Sequence, residues 1–236
     1  MVLRGTGRGS APTEPRAGTV TALVAKGDQG QRIAIHVDGR AAFDLDAEIV
    51  TRGDLRRGCF LSEERQLALL QEDEPYRARQ AALGALSRRE LSGHDVAVRL
   101  RRAGLREPVV EETLRWLGEH GYVDDRRFAS AYARERLKAG WGRQRIASEL
   151  VKHGVDRELL TGDGWTGLVE GEQPQDVDAL VALVRRRFRG QVGADPVGAK
   201  RRMVGFLARR GHDWETIGKV TRRVLEEAGC ADEGAP

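Results

Sequence analysis

The residues that could catalyse a reaction or bind a metal ion are scattered through this sequence. Asp124 and Asp125 are adjacent carboxylates, as in some metal-dependent nucleases, but no third carboxylate follows at a suitable spacing. Capping of a helix is the simpler explanation, because an aspartate accepts hydrogen bonds from the free N–H groups of a first helical turn. The two aspartates therefore predict the start of a helix.

The histidines, cysteines and N-terminal glycines also lack the arrangement of an active site. The histidines stand apart in the sequence, at His36, His94, His120, His153 and His212. Cys59 and Cys230 belong to no Cys-x-x-Cys pair, so both are expected to be reduced thiols. The glycines at 5, 7 and 9 precede no Gly-Lys-Ser/Thr and form no phosphate-binding loop. We predict that the chain is not an enzyme and has no catalytic residue, no metal site and no cofactor.

The composition favours a helical protein outside the membrane. Of the 236 residues, 40% are hydrophobic, 32% are charged and only 5% are aromatic, which is typical of helical arrays and unusual for β-sandwiches. No apolar run approaches the roughly 20 residues that cross a bilayer. Residues 1–17 lack the apolar stretch of a secretory signal and are expected to be a disordered tail. We therefore expect a cytoplasmic protein.

Charge is distributed in blocks along the chain. Residues 126–152 contain eight Arg and Lys against two Glu, and residues 185–223 contain twelve against three acidic residues. Between these blocks, residues 153–184 contain one Arg against seven acidic residues. Two basic blocks separated by an acidic one suit a polyanionic partner. Solvated helix surfaces are the alternative explanation.

Residues 18–75 predict a small β unit followed by a short helix. Asp38-Gly39 lies between two runs of alternating hydrophobicity, which is the strongest hairpin signal because both turn residues need positive φ. We expect about three strands, in a unit too small to be stable alone. A helix begins near Ser62, and Pro75 is expected to interrupt it.

From residue 76 onward the hydrophobic periodicity is helical. Helix starts are predicted at Ser92, Pro108, Asp124, Pro196 (after Asp195) and Asp213 from capping residues and from proline in the first turn. Apolar stripes occur at Val110, Leu114 and Leu117, at Val177, Leu180, Val181, Val184 and Phe188, and at Trp214, Ile217 and Val224. Each stripe needs a neighbouring helix to cover it.

One pattern recurs three times: an apolar residue, then Leu four residues later, then Gly four residues after that. It occurs at Val96, Leu100 and Gly104, at Ile146, Leu150 and Gly154, and at Met203, Leu207 and Gly211. Each Gly is expected in the left-handed conformation just after a helix. The fold class is therefore predicted as mainly α, with tandem three-helix repeats in an extended curved array and a small N-terminal β-hairpin unit. The repeats are placed at 76–125, at 126–175 with an acidic Gly-rich linker over 156–178, and at 176–229, before an acidic tail at 230–236.

A specific series of motifs lies in the middle repeat. It comprises Gly121-Tyr122-Val123-Asp124-Asp125, Arg127-Phe128-Ala129, Tyr132, Arg134, Arg136, Gly140-Trp141-Gly142, Arg145-Ile146, Glu149-Leu150 and Gly154-Val155. The series resembles the RecX family, regulators of the bacterial recombinase RecA, which are built of tandem three-helix repeats. Residues 81–104 resemble the first repeat of that family, residues 18–81 resemble a β-hairpin extension of some members, and the third repeat is diverged. Arg143 stands where the family tends to have Pro.

The resemblance implies a regulatory protein that binds the groove of the RecA–single-stranded-DNA filament and inhibits recombinase and coprotease activity, and hence a role in homologous recombination, DNA repair and the SOS response. The expected partners are this filament and, weakly, single-stranded DNA, and the protein is expected to be a monomer. The alternative is a sequence-specific regulator of double-stranded DNA, since residues 142–154 and the preceding helix could form a helix-turn-helix. Such a regulator would be a dimer that prefers one duplex sequence.

The candidate partner- or nucleic-acid-binding residues come from both basic blocks. They are Arg127, Arg134, Arg136, Lys138, Trp141, Arg143, Arg145, Lys152, Arg201, Arg202, Arg209 and Arg210. Helical spacing puts Arg127, Arg134 and Lys138 on one face, where they would meet phosphate, an acidic protein groove or only solvent. Phe128 and Tyr132 lie on another face and are expected in the core. Trp141 is the candidate for an exposed aromatic contact.

Overall fold

The computed structural model describes residues 14–27, 31–170 and 177–229. The expected tails at 1–17 and 230–236 lie outside these ranges, apart from residues 14–17, and so does Cys230, whereas Cys59 is a free thiol. The described part is mostly helical with a small antiparallel sheet near the N-terminus, which confirms the predicted class. The chain divides into two compact units, one of Met1–Arg89 with Val96–Tyr122 and one of Glu90–Asp95 with Val123–Pro236.

The first unit begins with a four-stranded antiparallel sheet in the order β3-β2-β1-β4. The strands are β1 (Gly18–Lys26), β2 (Arg32–Val37), β3 (Arg40–Asp46) and β4 (Phe60–Leu61). Asp38 and Gly39 form the two-residue turn between β2 and β3 with φ of 48° and 79°, so the predicted hairpin is confirmed. The short strand β4 pairs with the start of β1 and was missed in the sequence, because two residues show no alternation.

A short helix, α1 (Ala47–Arg52), and a long one, α2 (Glu63–Leu86), follow in the same unit. Buried Leu69 of α2 joins the core of the sheet, and Ala78 and Ala82 are buried further along the helix. The prediction that Pro75 interrupts the helix is wrong, since α2 continues through it. Burial on both sides of Pro75 offsets the local cost of about 3 kcal/mol for an internal proline. The helix therefore also crosses the boundary that we expected at residue 75.

The helices α3 (Gly93–Arg102) and α4 (Glu107–Glu119) come next along the chain. Ser92 caps α3, because its Oγ accepts a hydrogen bond from the Asp95 N–H at 3.1 Å, as predicted. In the first unit, the Glu74 carboxylate of α2 accepts a hydrogen bond from the Arg106 backbone N–H at 2.9 Å. This bond satisfies a donor at the start of α4, where Arg106 offers no side-chain cap.

The second unit contains six α-helices and a short 3₁₀ helix among its described residues. They are α5 (Asp125–Lys138), α6 (Arg143–Lys152), the 3₁₀ helix (Arg157–Leu160), α7 (Gly162–Leu168), α8 (Val177–Val192), α9 (Pro196–Arg209) and α10 (Trp214–Glu227). The predicted caps Asp124 and Asp213 accept N–H bonds at 3.0 and 2.8 Å at the starts of α5 and α10. Asp195, which precedes the predicted first-turn Pro196, accepts an N–H bond at 2.9 Å at the start of α9.

The recurring apolar–Leu–Gly pattern has the predicted structural role. All six apolar members are buried, with relative exposures of 0 or 1%. Gly104, Gly154 and Gly211 have φ of 79°, 77° and 79°, which is the left-handed conformation that ends a helix without a Cβ penalty. The repeat is therefore a set of three similar helix ends.

Part of the segment predicted as an acidic linker is folded. The 3₁₀ helix and α7 lie within 156–178, and Leu160, Trp165 and Leu168 are buried in one core with Phe128 and Ile146. The many glycines and acids hid this short apolar series, whose burial decides the fold of the segment. Residues 171–176 of the expected linker lie outside the described ranges.

Over the described ranges, no helix has both the length and the hydropathy needed to cross a membrane. Within the same ranges, no three or more His, Cys, Asp or Glu side chains come together where they could hold a metal ion.

Candidate partner-binding surface

The helix α5 carries basic residues on its exposed side. Arg127, Arg134 and Lys138 are all exposed, whereas Phe128 is buried and Tyr132 is half-buried, as the spacing predicted. The Arg127 guanidinium forms an ion pair with Glu90, and Arg134 donates to the Glu170 carbonyl oxygen at 3.2 Å. The α5 basic face, as we call Arg127, Arg134 and Lys138, is thus anchored at two points while its charges stay at the surface.

Trp141 does not have the exposure that was predicted for it. The side chain is half-buried against the core that contains Phe128 and Ile146. The Arg136 and Arg145 guanidinium carbons lie 5.1 and 3.9 Å from the centre of its ring. These cation–π contacts hold both arginines beside the indole. Trp141 therefore orients two basic side chains in addition to filling space.

The turn between α5 and α6 packs against the end of α9. The Gly142 N–H donates to the Arg210 carbonyl oxygen at 2.7 Å, and His212 Nε2 donates to the Gly140 carbonyl oxygen at 3.1 Å. The Arg210 guanidinium donates to the Ala139 and Gly140 carbonyl oxygens at 2.5 and 3.1 Å. We call these contacts the 139–142 junction.

Gly142 is essential to this junction because there is no room for a side chain. A Cβ built on Gly142 would lie 2.1 Å from the carbonyl oxygen of Gly211. Arg145 adds a further bond nearby, since its Nη1 donates to the Arg209 carbonyl oxygen at 3.0 Å. The Gly-Trp-Gly motif of the sequence is explained by close packing of two helix ends.

Burial and neighbouring positive charges both lower pKa values at the 139–142 junction. Burial lowers the pKa of Arg210, and the nearby Arg187 and Arg145 guanidinium groups lower it further. Burial also lowers the pKa of His212 below its usual 6.5, although its bond to the Gly140 carbonyl opposes the change. The junction therefore collects positive charge and keeps its histidine neutral.

A groove between α8 and α9 brings basic residues of the second block together. It has a volume of about 560 Å³ and is lined by Arg187, Phe188, Gln191, Arg201, Arg202, Gly205, Phe206 and Arg209. Arg202 forms an ion pair with Asp195 at 3.4 Å. The guanidinium carbons of Arg187 and Arg210 lie 5.1 and 4.6 Å from the centre of the Phe206 ring. We call this feature the α8–α9 groove.

The remaining candidates make contacts within their own domain. Arg143 donates to the Leu160 carbonyl oxygen at 3.3 Å, and Lys152 forms an ion pair with Glu149 at 2.9 Å. Arg136 pairs with Glu135 at 3.2 Å. The sequence-predicted residues thus fall into the α5 basic face, the 139–142 junction, the α8–α9 groove and single positions on α5 and α6.

Sequence reasoning missed several residues of these surfaces. Arg187, Gln191 and Phe206 line the α8–α9 groove, and the arginine-rich run at 185–189 was a signal for Arg187. Trp214 was assigned to an apolar stripe, yet it is 74% exposed at the start of α10. The first turn of α10 begins outside the core, so a residue with correct spacing is left in solvent.

Comparisons with known proteins identify related sequences. The model of the second three-helix domain of RecX matches residues 124–161, and that of the third three-helix domain matches residues 174–221. Regulatory protein RecX of Stenotrophomonas maltophilia strain R551-3 is 35% identical over 145 residues, which cover 61% of this chain and 84% of that protein. Regulatory protein RecX of Clostridium acetobutylicum is 22% identical over 211 residues, covering 89% and 97% of the two chains.

Solved structures share the fold. A crystal structure of regulatory protein RecX has a TM-score of 0.57 at 20% identity and covers 89% of this chain and 98% of its own. The crystal structure of RecX from Lactobacillus salivarius has a TM-score of 0.56 at 19% identity, covering 65% and 97%.

Proposed function

The chain belongs to the RecX family of regulatory proteins, and on that premise we propose that it binds the filament of RecA on single-stranded DNA and inhibits recombinase and coprotease activity. It acts as a non-catalytic, monomeric protein of the cytoplasm, in the control of recombination, repair and the SOS response. The protein binds isolated single-stranded DNA only weakly.

The α5 basic face carries this proposal. Its three cations are exposed on one side of a helix in the segment that matches the second domain of RecX. An exposed row of positive charge attracts phosphate or an acidic protein surface and raises the rate of encounter with it. The helix keeps its other side for the core, so the row can meet a partner without rearrangement of the fold.

The alternative of a sequence-specific helix-turn-helix regulator has less support. In such a protein the second helix and its N-terminal residues read base edges in the major groove. Here the N-terminal end of α6 is occupied by the 139–142 junction, with Gly142 and Arg145 bonded to the chain at the end of α9. A filament regulator, in contrast, needs no freely protruding recognition helix.

Titration of the protein into a RecA ATPase and strand-exchange assay on single-stranded DNA tests the proposal. We expect inhibition at less than one molecule per RecA monomer. Unchanged rates at a one-to-one ratio would contradict the proposal. A preference for one duplex sequence in the absence of RecA would favour the helix-turn-helix alternative.

A further inference from the structure

The second and third three-helix domains hold their arginines in different ways. In the second domain, Arg136 pairs with Glu135 and lies over aromatic rings, while Arg143 and Arg145 donate to carbonyl oxygens of their own chain. Each of these contacts uses part of the hydrogen-bonding capacity of a guanidinium and fixes its direction. These guanidinium groups therefore have only part of their hydrogen-bonding capacity left for a partner.

In the α8–α9 groove, Arg202 pairs with Asp195 and Arg187 lies over the Phe206 ring. Arg187, Arg201 and Arg209 are exposed, and among the residues that the structure describes no carboxylate lies within ion-pair distance of them. Two arginines outside the groove do have such partners, since Arg185 pairs with Glu227 at 3.1 Å and Arg223 pairs with Asp178. The groove thus contains three exposed arginines whose charge no carboxylate of the described residues offsets.

The shape of the groove depends on Gly205, which has no side chain. Arg201, Gly205 and Arg209 are spaced by one helical turn, so they lie along the same side of α9. Gly205 leaves a gap between the two arginines, and a Cβ there would lie 3.3 Å from Arg209 Nη1. The rings of Phe188 and Phe206, 5.8 Å apart, form part of the wall. The result is a basic groove instead of a flat basic surface.

We propose that the α8–α9 groove binds the phosphodiester backbone of single-stranded nucleic acid, with Arg187, Arg201 and Arg209 contacting phosphates. Planar guanidinium groups match phosphate oxygens in pairs, and the groove is lined by arginine without lysine. Its volume of 560 Å³ is in the range of about 300–1,000 Å³ that is usual for ligand pockets. The proposal deepens the proposed function, because it assigns the DNA strand of the filament to the third domain.

Binding of the full chain to a fluorescein-labelled oligothymidylate, measured by anisotropy without RecA, tests this. The groove variant is Arg201→Gln with Arg209→Gln, and the matched control is Arg185→Gln with Arg223→Gln. Both variants remove two positive charges from the same domain, but the groove variant removes unpaired arginines and the control removes arginines that are paired with Glu227 and Asp178. We expect about tenfold weaker binding for the groove variant and less than about twofold for the control. The log–log salt slope of the groove variant should fall by about 1.4, since each phosphate contact on a single strand contributes about 0.7.

A variant that keeps all charges tests the shape of the groove. Gly205→Leu fills the gap between Arg201 and Arg209, and circular dichroism with thermal melting checks that the variant keeps the helix content and the cooperative transition of the wild type. We expect it to weaken oligothymidylate binding by several-fold although the net charge is unchanged. Equal losses in the two double variants, or tighter binding of the corresponding duplex by the wild type, would overturn the inference.

The two proposals fail in distinguishable ways. A wild-type protein that binds oligothymidylate through the groove but leaves RecA activity unchanged contradicts the proposed function and supports the inference. A groove variant that binds oligothymidylate like the wild type but no longer inhibits RecA overturns the inference. That result would assign the groove to an acidic protein surface and leave the proposed function standing.

Discussion

At Gly142 the turn between α5 and α6 approaches the chain after α9 so closely that no side chain fits. Gly142→Ala would bring a Cβ to 2.1 Å from the Gly211 carbonyl oxygen, so backbone must move. We expect this overpacking to lower the free energy of unfolding by about 1–3 kcal/mol. Thermal melting measures the loss.

The matched control for Gly142 is Gly218, which lies inside α10 with no atom within 4 Å of a built Cβ. Gly218→Ala should raise stability by about 0.5–1 kcal/mol, because alanine loses less conformational entropy in a helix. If both variants melt like the wild type, the close approach at Gly142 is not a constraint on the fold.

His212 makes stability depend on pH. Burial lowers its pKa below the usual 6.5 in the folded protein, so the unfolded chain takes up a proton more readily. The stabilising contribution of neutral His212 is therefore present above about pH 6.5 and is lost as the pH falls towards the folded pKa. His212→Gln keeps a donor for the Gly140 carbonyl but cannot titrate. We expect the wild type to lose more stability than this variant between about pH 7.5 and 5.5 in chemical denaturation, and equal losses would contradict the role of His212.

At the scale of single elements, charge reversal on the α5 basic face should weaken partner binding without disrupting the fold. Replacing Arg127, Arg134 and Lys138 by Glu changes the charge by six, from a local +6 over residues 126–152 to about zero. The side chains are exposed, so we expect each replacement to change stability by under about 1 kcal/mol, with the largest effect at Arg127 beside Glu90. Inhibition of RecA ATPase should fall strongly, and normal inhibition would make this face mere solvated surface.

The control for the α5 variant is loss of a helix cap. Asp124→Ala removes the acceptor that the Arg127 N–H uses at 3.0 Å, which should cost about 0.5–2 kcal/mol of stability. The fraction that remains folded should inhibit normally, because the basic face is intact. The α5 variant should therefore lose inhibition in the ATPase assay and keep its circular dichroism. Asp124→Ala should lose stability by circular dichroism and keep inhibition.

The sequence correctly predicted the elements whose signals lie within a few neighbouring residues. The Asp38-Gly39 turn, the caps at Asp124 and Asp213 and the glycines after helices each depend on backbone conformation within a few residues. Pro75 has an equally clear local signal, but burial on both sides of it overrides that signal. Local rules therefore fail where packing between elements supplies more free energy than the local preference.

The candidate site was predicted less well than the fold for the same reason. Trp141 was the candidate for exposure and Trp214 was assigned to an apolar stripe, yet Trp141 is half-buried beside two arginines and Trp214 is 74% exposed. Periodicity identifies the side of a helix but not the neighbour that covers it. The basic blocks were visible in the sequence, whereas the division between committed and unpaired arginines needed the three-dimensional contacts.

At the scale of the whole molecule, the second unit has cores of its own. One core includes Phe128, Ile146 and Leu168, and another includes Met203 and Val224, all from residues after 123. A domain with separate cores should fold without the rest of the chain. This is the basis for a truncation experiment.

A fragment of residues 123–236 should fold cooperatively and remain helical by circular dichroism. It loses the short segment 90–95, and with it the 2.8 Å contacts of Asp125 with the Gly93 N–H and of His153 with Asp95. These contacts are partly exposed, and each is worth about 1 kcal/mol, so the fragment should melt at a lower temperature than the full chain. It should still bind oligothymidylate through the α8–α9 groove. A fragment without a cooperative transition would mean that residues 1–122 are needed to complete its core.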